Sequence, residues 1–191
     1  SMLLKTLKLK ERQSIGKEHS KRLRRQGFIP CTLYGGNQGV RHLYGFVKDF
    51  RDVCFTPNVY KLNLLVEDEN PQEAIIQESQ FHPLSDDVLH LDFLRVHEDA
   101  QVKLTLPVSF EGTPAGVVNG GRLFKKIRNL QVKGRVADIP EQLTIDVSGM
   151  DNGTIVKVQD LSFDNLQIMN NNSVAVASVA LPKKARKAAS S

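Results

Sequence analysis

Residues 17–26 are strongly cationic and have the composition of a short helix. Helical spacing brings five positive side chains onto one surface, Lys17, Lys21, Arg22, Arg24 and Arg25. Arg12, just upstream, is within reach of the same surface. Like-charge repulsion on so short a helix costs stability, and phosphate groups lying against the surface offset that cost. The segment therefore predicts a surface that contacts a polyanion, and a solvated charged face is the alternative.

A histidine and a carboxylate form a second candidate group. Residues 88–93 alternate like a strand, which places His90 and Asp92 on one face. The opposite face would point three apolar residues into a core, Leu89, Leu91 and Phe93. A metal site would need further ligands, and neither His82 nor His97 has a fixed geometry; acid–base catalysis would need a nucleophile or a bound substrate. We favour hydrogen bonding to bases or riboses, with an exposed polar pair as the alternative.

Two glutamines and a tyrosine extend this candidate surface. Gln77 and Gln80 lie on a predicted strand that ends in a turn, and their amides both donate and accept hydrogen bonds. Tyr34 follows a predicted strand and precedes two glycines. Its ring is placed either to stack on a base or ribose or to be half buried.

The elements that position these residues are mostly strands. Strand-like alternation recurs at residues 29–33, 60–66, 102–110, 143–148 and 174–181. Pro107 cannot donate to a central ladder, so it is predicted at a sheet edge or a bulge. Two short helices are predicted, at residues 17–26, ending at Gly27, and at residues 48–55. Residues 97–101 separate a mixed domain from an almost all-β domain, and the fold class is therefore mainly β.

Charge is unevenly distributed along the chain. The net charge of +5 conceals ten basic and two acidic residues in residues 1–42, and twelve basic and nineteen acidic residues in residues 43–182. A cationic segment on an acidic body favours a nucleic acid as partner. The acidic balance predicts that the second domain is a poor primary binder of nucleic acid. Residues 183–191 add four basic residues and are predicted to be a disordered tail, which is a solvated end or, as the alternative, adds nonspecific affinity for RNA.

Composition disfavours several classes of protein. The 191 residues, 40% apolar and 25% charged, suit two modest globular domains. Neither a membrane-spanning run nor a signal peptide is found, so we expect a cytoplasmic protein. Cys31 and Cys54 are predicted to be neutral thiols, and the glycines of residues 112–121 match no phosphate-binding loop. We expect no catalysis, cofactor, metal or small-molecule substrate.

An ordered set of motifs resembles the large-subunit ribosomal protein family L25, also called Ctc. The motifs are residues 16–17, 20–27, 29–30, 33–36, 77–83 and 89–93. Residues 112–116, 120–121, 139–141 and 145–148 resemble the second domain of the longer, Ctc-type members. The resemblance covers nearly the whole chain, and the ordered set is more specific than any single motif.

The resemblance implies an N-terminal β-barrel with short helices, at residues 2–97, which binds the loop E region of 5S rRNA. It implies a C-terminal β domain at residues 98–182. The RNA contacts that it implies are Arg12, Lys17, Ser20, Lys21, Arg22, Arg24, Tyr34, Gln77, Gln80, His90 and Asp92. Asp92 would accept hydrogen bonds from base amino groups or riboses, or orient His90. Lys21 stands where the family often has arginine, and it offers a point charge instead of a bidentate fork.

The expected function is that of a structural constituent of the large ribosomal subunit. The alternative is a stress-related accessory factor that binds the ribosome conditionally. We expect the second domain to contact neighbouring ribosomal proteins or the edge of the subunit interface, because an acidic balance disfavours RNA as its main partner.

Overall fold

The computed structural model describes residues 3–54 and 60–183, and it is mainly β, as the sequence predicts. The chain divides after Ala100 into two compact units, within the predicted junction of residues 97–101 and three residues beyond the predicted end of the first domain at residue 97. Phe55, the last residue of the second predicted helix, and the tail from Lys184 onwards lie outside the described residues. Among the described residues, no helix is long and apolar enough to cross a membrane.

The first unit is a closed barrel with two helices. Its elements are β1 (Leu3–Glu11), α1 (Lys17–Arg25), β2 (Phe28–Gly35), β3 (Gln38–Phe46), α2 (Val47–Cys54), β4 (Tyr60–Val66), β5 (Gln72–Phe81) and β6 (Val88–Arg95). Around the barrel the strand order is β1-β3-β2-β6-β5-β4. The predicted barrel with short helices is therefore confirmed.

Alternating apolar residues of all six strands fill the barrel, and α2 adds to this core. Phe50 of α2 is 1% exposed, and its ring centre lies 6.3 Å from that of Phe93. Gly45 makes this approach possible, because a Cβ there would lie 2.9 Å from Phe50 and 2.8 Å from Leu9. The packing of α2 against the barrel core therefore requires glycine at position 45.

Helix α1 instead lies on the outside of the barrel. Only Leu23 among its residues is buried, and Gly27 just beyond its end has φ +84°, the left-handed conformation predicted there. The helix therefore exposes most of its surface, as expected of a solvated or ligand-binding face.

Arg95 fixes the turn that follows β2. Its Nη1 donates to the carbonyls of Gly35 and Gly39, both at 3.0 Å, and its Nε donates to Gln72 Oε1 at 2.9 Å. Burial lowers the pKa of Arg95, which is 9% exposed. These bonds hold the end of β2, including Tyr34, beside β6.

The second unit contains two small sheets. Its elements are β7 (Gln101–Glu111), α3 (Ala115–Val118), β8 (Arg122–Lys125), β9 (Asn129–Arg135), β10 (Leu143–Asp146), β11 (Ile155–Lys157), β12 (Gln167–Ile168) and β13 (Ala175–Ala180), with 3-10 turns at Val136–Asp138 and Val158–Asp160. One sheet has the order β10-β7-β9-β12 and the other β11-β13-β8. The predicted C-terminal β domain is confirmed.

Pro107 lies in a strand that is central farther along but has a partner on one side only at this position, which agrees with the predicted edge location. Pro107 lies in β7, a central strand, and is paired with Asn129 of β9. The next residue, Val108, donates its N–H to Arg128 on the β9 side, so the nitrogen of Pro107 points towards β10. Pairing with β10 begins only at Val108. The missing donor therefore falls where no partner strand is yet present.

Candidate nucleic-acid interface

Helix α1 is anchored to the barrel by one apolar and one polar contact. Leu23 is buried, and Arg24 Nε donates to the carbonyl of Leu89 in β6 at 2.9 Å. The anchoring turns four other cations outwards, Lys17, Lys21, Arg22 and Arg25. None of the four forms an ion pair with a residue of the described ranges. Of the helical cations predicted to face a polyanion, Arg24 is thus partly committed to the fold.

Arg12 joins the same surface, as its sequence position predicts. Its Nη2 lies 3.0 Å from His19 Nδ1 and donates to Ser20 Oγ at 3.1 Å. Because the guanidinium only donates, His19 Nδ1 is the acceptor and the ring proton is on Nε2. Burial, together with the charges of Arg12 and Arg22, lowers the pKa of His19. Sequence reasoning missed His19. Its place on this surface depends on the contact with Arg12, the residue after β1, and not on a pattern within α1.

A row of polar residues crosses the outer face of the barrel beside α1. Strand register places Thr32 of β2 next to both His42 of β3 and Asp92 of β6, and Asp92 in turn opposite Glu78 of β5. We call His42, Thr32, Asp92 and Glu78 the outer row. Gln80 lies opposite His90 in the adjacent register position. The structure therefore brings Gln80, His90 and Asp92 together, as predicted.

His90 links Thr32 to Asp92 by hydrogen bonds through both ring nitrogens. His90 Nδ1 lies 3.2 Å from Asp92 Oδ1, and Nε2 lies 3.2 Å from Thr32 Oγ1. An ionised carboxylate only accepts, so Nδ1 carries the proton and Nε2 accepts from the Thr32 hydroxyl. Both ring nitrogens are then occupied. The geometry makes His90 a residue that orients Asp92 through Oδ1, on a side chain that is partly exposed on the outer face.

The pKa of His90 provides a direct test of the hydrogen bonds that link Thr32, His90 and Asp92. Burial lowers its pKa, the charge of Asp92 opposes that shift, and Arg12 and Arg24 add to it. In an NMR titration we expect the pKa of His90 to lie below 6.5, and to fall further in Asp92→Asn. Asp68→Asn, a carboxylate in the turn after β4, should leave the titration unchanged. A rise of the pKa in Asp92→Asn would contradict the assigned contacts.

The same shift makes stability depend on pH. The folded-state pKa of His90 lies below the unfolded value of about 6.5. The unfolded chain therefore binds protons first, and the contribution of His90 to the free energy of unfolding is present above pH 6.5. That contribution is lost as the pH falls through the folded-state pKa.

Glu78 is a second carboxylate on this face that sequence reasoning missed. It lies directly opposite Asp92, where like charges repel, and among the described residues neither carboxylate forms an ion pair with a cation, since the His90 that contacts Asp92 is neutral. Burial, together with the charges of Asp92 and Glu78, raises the pKa of Tyr34. Tyr34 therefore stays a hydroxyl donor close to two acceptors. Period-two spacing from Gln80 would have identified Glu78.

Two irregularities in the β5–β6 pairing displace Gln77 and Leu89 from the positions that regular alternation predicts. Gln77 is an extra residue in β5, between the pairs of Ile76 and Glu78, so it leaves the regular alternation and is half-buried. Leu89 is similarly extra in β6 and is half-buried, whereas Leu91 and Phe93 are fully buried as predicted. The core position predicted for Leu89 is therefore wrong.

The cysteines and the remaining histidines have structural surroundings. Burial raises the pKa of Cys31 well above its usual value and that of Cys54 to about 11, so both thiols are neutral, as predicted. His82 Nδ1 accepts from the backbone N–H of Leu84 and Ser85, which closes the turn after β5. Within residues 3–54 and 60–183, no three metal-ligating side chains are grouped.

The fold, helix α1 and the outer row together define a class of protein: a β-barrel that binds a partner through a charged, hydrogen-bonding surface. A family model described as the Ribosomal L25p family matches residues 7–93, and one described as Ribosomal protein TL5, C-terminal domain, matches residues 101–183. The chain belongs to the Ribosomal L25p family, whose members are structural ribosomal proteins and not enzymes.

Curated relatives are similar in sequence to this chain over nearly its full length. A protein of Azobacteroides pseudotrichonymphae is 42% identical over 96% of this chain and 97% of its own. Proteins of Cytophaga hutchinsonii and Bacteroides fragilis are each 38% identical, over 90% and 94% of this chain and 88% and 90% of their own. All three are called large ribosomal subunit protein bL25. The family resemblance and the absence of an enzymatic role are thus confirmed.

Proposed function

We propose that the protein is a cytoplasmic constituent of the large ribosomal subunit that binds the loop E region of 5S rRNA through its barrel. One observation carries the proposal. Four exposed cations of α1 without ion pairs in the described structure lie beside a polar outer row that contains two carboxylates, Asp92 and Glu78. Membership of a ribosomal family and the names of the relatives support the same assignment.

Helix α1 supplies the contacts to phosphate in this proposal. Lys17, Lys21, Arg22 and Arg25 are exposed, and Ser20 retains its hydroxyl proton after accepting from Arg12. Phosphates against the helix would relieve the repulsion between these cations. Such contacts give affinity and orientation without recognising sequence. Arg24 would contribute through its Nη groups, because its Nε is occupied by Leu89.

The outer row supplies the contacts to bases or riboses. Asp92 and Glu78 can only accept when ionised, so they repel phosphate and favour donors such as base amino groups or ribose hydroxyls. Gln80, exposed beside them, donates and accepts. The half-buried ring of Tyr34 is available for packing against a ribose or base. In this proposal helix α1 positions the RNA through its phosphates, and the outer row recognises its bases or riboses.

The test compares two RNAs that have the same charge. The full chain is titrated into a labelled 5S rRNA fragment containing loop E, and into one in which loop E is replaced by a regular Watson–Crick helix of equal length. Anisotropy should show at least about tenfold tighter binding to the loop E fragment, with similar salt dependence. Equal affinity for the two RNAs would contradict the proposal.

A further inference from the structure

The second unit is not acidic, contrary to the sequence-based prediction. Residues 101–182 hold eight basic and seven acidic residues, whereas residues 43–100 hold four basic and twelve acidic. The prediction was wrong because it averaged charge across both units. Residues 112–137 contain six of the eight basic residues and no aspartate or glutamate. The second unit therefore has a local cationic region of its own.

Part of this region lies on edge strand β8. Arg122 and Phe124 of β8 alternate onto one face, and Lys126, the residue after the end of the strand, has its Nζ 5.5 Å from the centre of the Phe124 ring. Across the sheet, Phe124 pairs with Ser178 of β13, and Ser178 pairs with Ile155 of β11. We call these five residues the β8 face. It presents one aromatic ring between two cations.

The β8 face is open on this unit. Phe124 is 41% exposed and Ile155 is 54% exposed. Neither Arg122 nor Lys126 forms an ion pair within the described parts of the chain. Ala177 and Val179 of β13 are buried on the other side of the sheet, whereas Val176, which alternates with Ser178, is buried on this side. The uncovered part of the β8 face is therefore the area around Phe124 and Ile155, which the described residues of the unit leave exposed.

We propose that the β8 face binds an unpaired stretch of RNA, separately from the barrel. One base stacks on Phe124, while neighbouring phosphates contact Arg122 and Lys126. Stacking on an exposed ring is available to every base, and flanking cations hold the backbone without a sequence requirement. Lys126 reaches the Phe124 ring from just beyond the end of β8, so its long side chain can move to a phosphate when a base takes that place. Positive charge alone would suit any polyanion, but an exposed ring between two cations matches the alternation of bases and phosphates along a single strand, and an acidic protein surface offers no base to stack on Phe124.

An indole at position 124 tests the stacking directly. The chain contains no tryptophan, so Phe124→Trp introduces its only indole. The full-length variant is first saturated with the loop E fragment, and a mixed-sequence single-stranded RNA of twelve nucleotides is then added. We expect quenching of the tryptophan emission that saturates with RNA. Unchanged emission up to RNA concentrations that saturate the parent chain would overturn the proposal.

Paired variants separate stacking from charge. Phe124→Ala should weaken binding of the same oligonucleotide about tenfold without changing the salt slope. Arg122→Ala with Lys126→Ala should reduce the slope by about 1.4. The matched control, Lys103→Ala with Lys133→Ala, removes two cations from the other sheet of the same unit and should alter affinity less than about twofold. An equal loss in the control would overturn the proposal.

The readouts distinguish this site from the barrel interface. All of these variants should bind the loop E fragment like the parent protein, since β8 belongs to the second unit. Failure of loop E binding together with normal quenching at position 124 would count against the proposed function alone. Thermal unfolding checks that each variant is folded, and the exposure of the substituted side chains leads us to expect little change.

Discussion

Replacing Lys17, Lys21, Arg22 and Arg25 together by alanine is expected to weaken binding to the loop E fragment about 1,000-fold at 0.15 M salt. Each phosphate contact adds about 0.9 to the slope of log affinity against log salt, which corresponds to roughly 0.7 decades at this concentration. Four contacts therefore account for about three decades. Anisotropy titrations over a salt series should show the slope falling by about 3.6 as the affinity is lost.

A matched variant decides whether the position of the charges matters. Lys8, Lys10, Lys48 and Arg51 are also exposed cations of the first unit, on β1 and α2. Replacing these four by alanine changes the net charge equally and should weaken binding less than about threefold. Losses of equal size would mean that net charge, and not α1, determines affinity. Alanine favours helix and removes repulsion, so α1 should persist, which circular dichroism can verify.

Local patterns were sufficient to predict both longer helices and about half of the strands, but not β1, β3, β8, β9, β11 or β12. The cations of residues 17–26 and Gly27 located α1 and its end, and alternation located β4, β6 and β7. These features depend on periodicity and on the conformational freedom of glycine, both of which are properties of neighbouring residues. Strand order is different, because which strands become neighbours is decided by how the apolar faces pack together.

The interface depended on long-range pairing and could be predicted only in part. His90 and Asp92 were identified by spacing, but Thr32 reaches His90 because β2 and β6 are parallel neighbours, 58 residues apart along the chain at this contact. The bulge that removes Gln77 from the outer row likewise arises from the match between two strands. Glu78 could have been predicted, because it lies two residues before Gln80 on the same strand and so on the same face. The charge of the second unit could be assigned correctly only once its boundary was known.

The variant Asp92→Asn is expected to weaken loop E binding roughly 10- to 100-fold, with the salt slope unchanged. Asparagine has nearly the same shape, and its amide oxygen can still accept from His90 Nδ1. The other carboxylate oxygen becomes an NH2 group, which offers a donor where a base amino group or ribose hydroxyl would donate. The loss should therefore appear as affinity at every salt concentration, since no phosphate contact is removed.

Asp68→Asn is the control for this substitution, because it removes the same charge from an exposed turn of the barrel outside the outer row. Neutralising a carboxylate near a polyanion should by itself strengthen binding slightly, so Asp68→Asn should bind as well as the parent protein or slightly better. An Asp92→Asn variant that also bound more tightly would show that Asp92 only repels the RNA. Weakened binding, against the direction that charge alone predicts, requires a specific hydrogen bond accepted by Asp92.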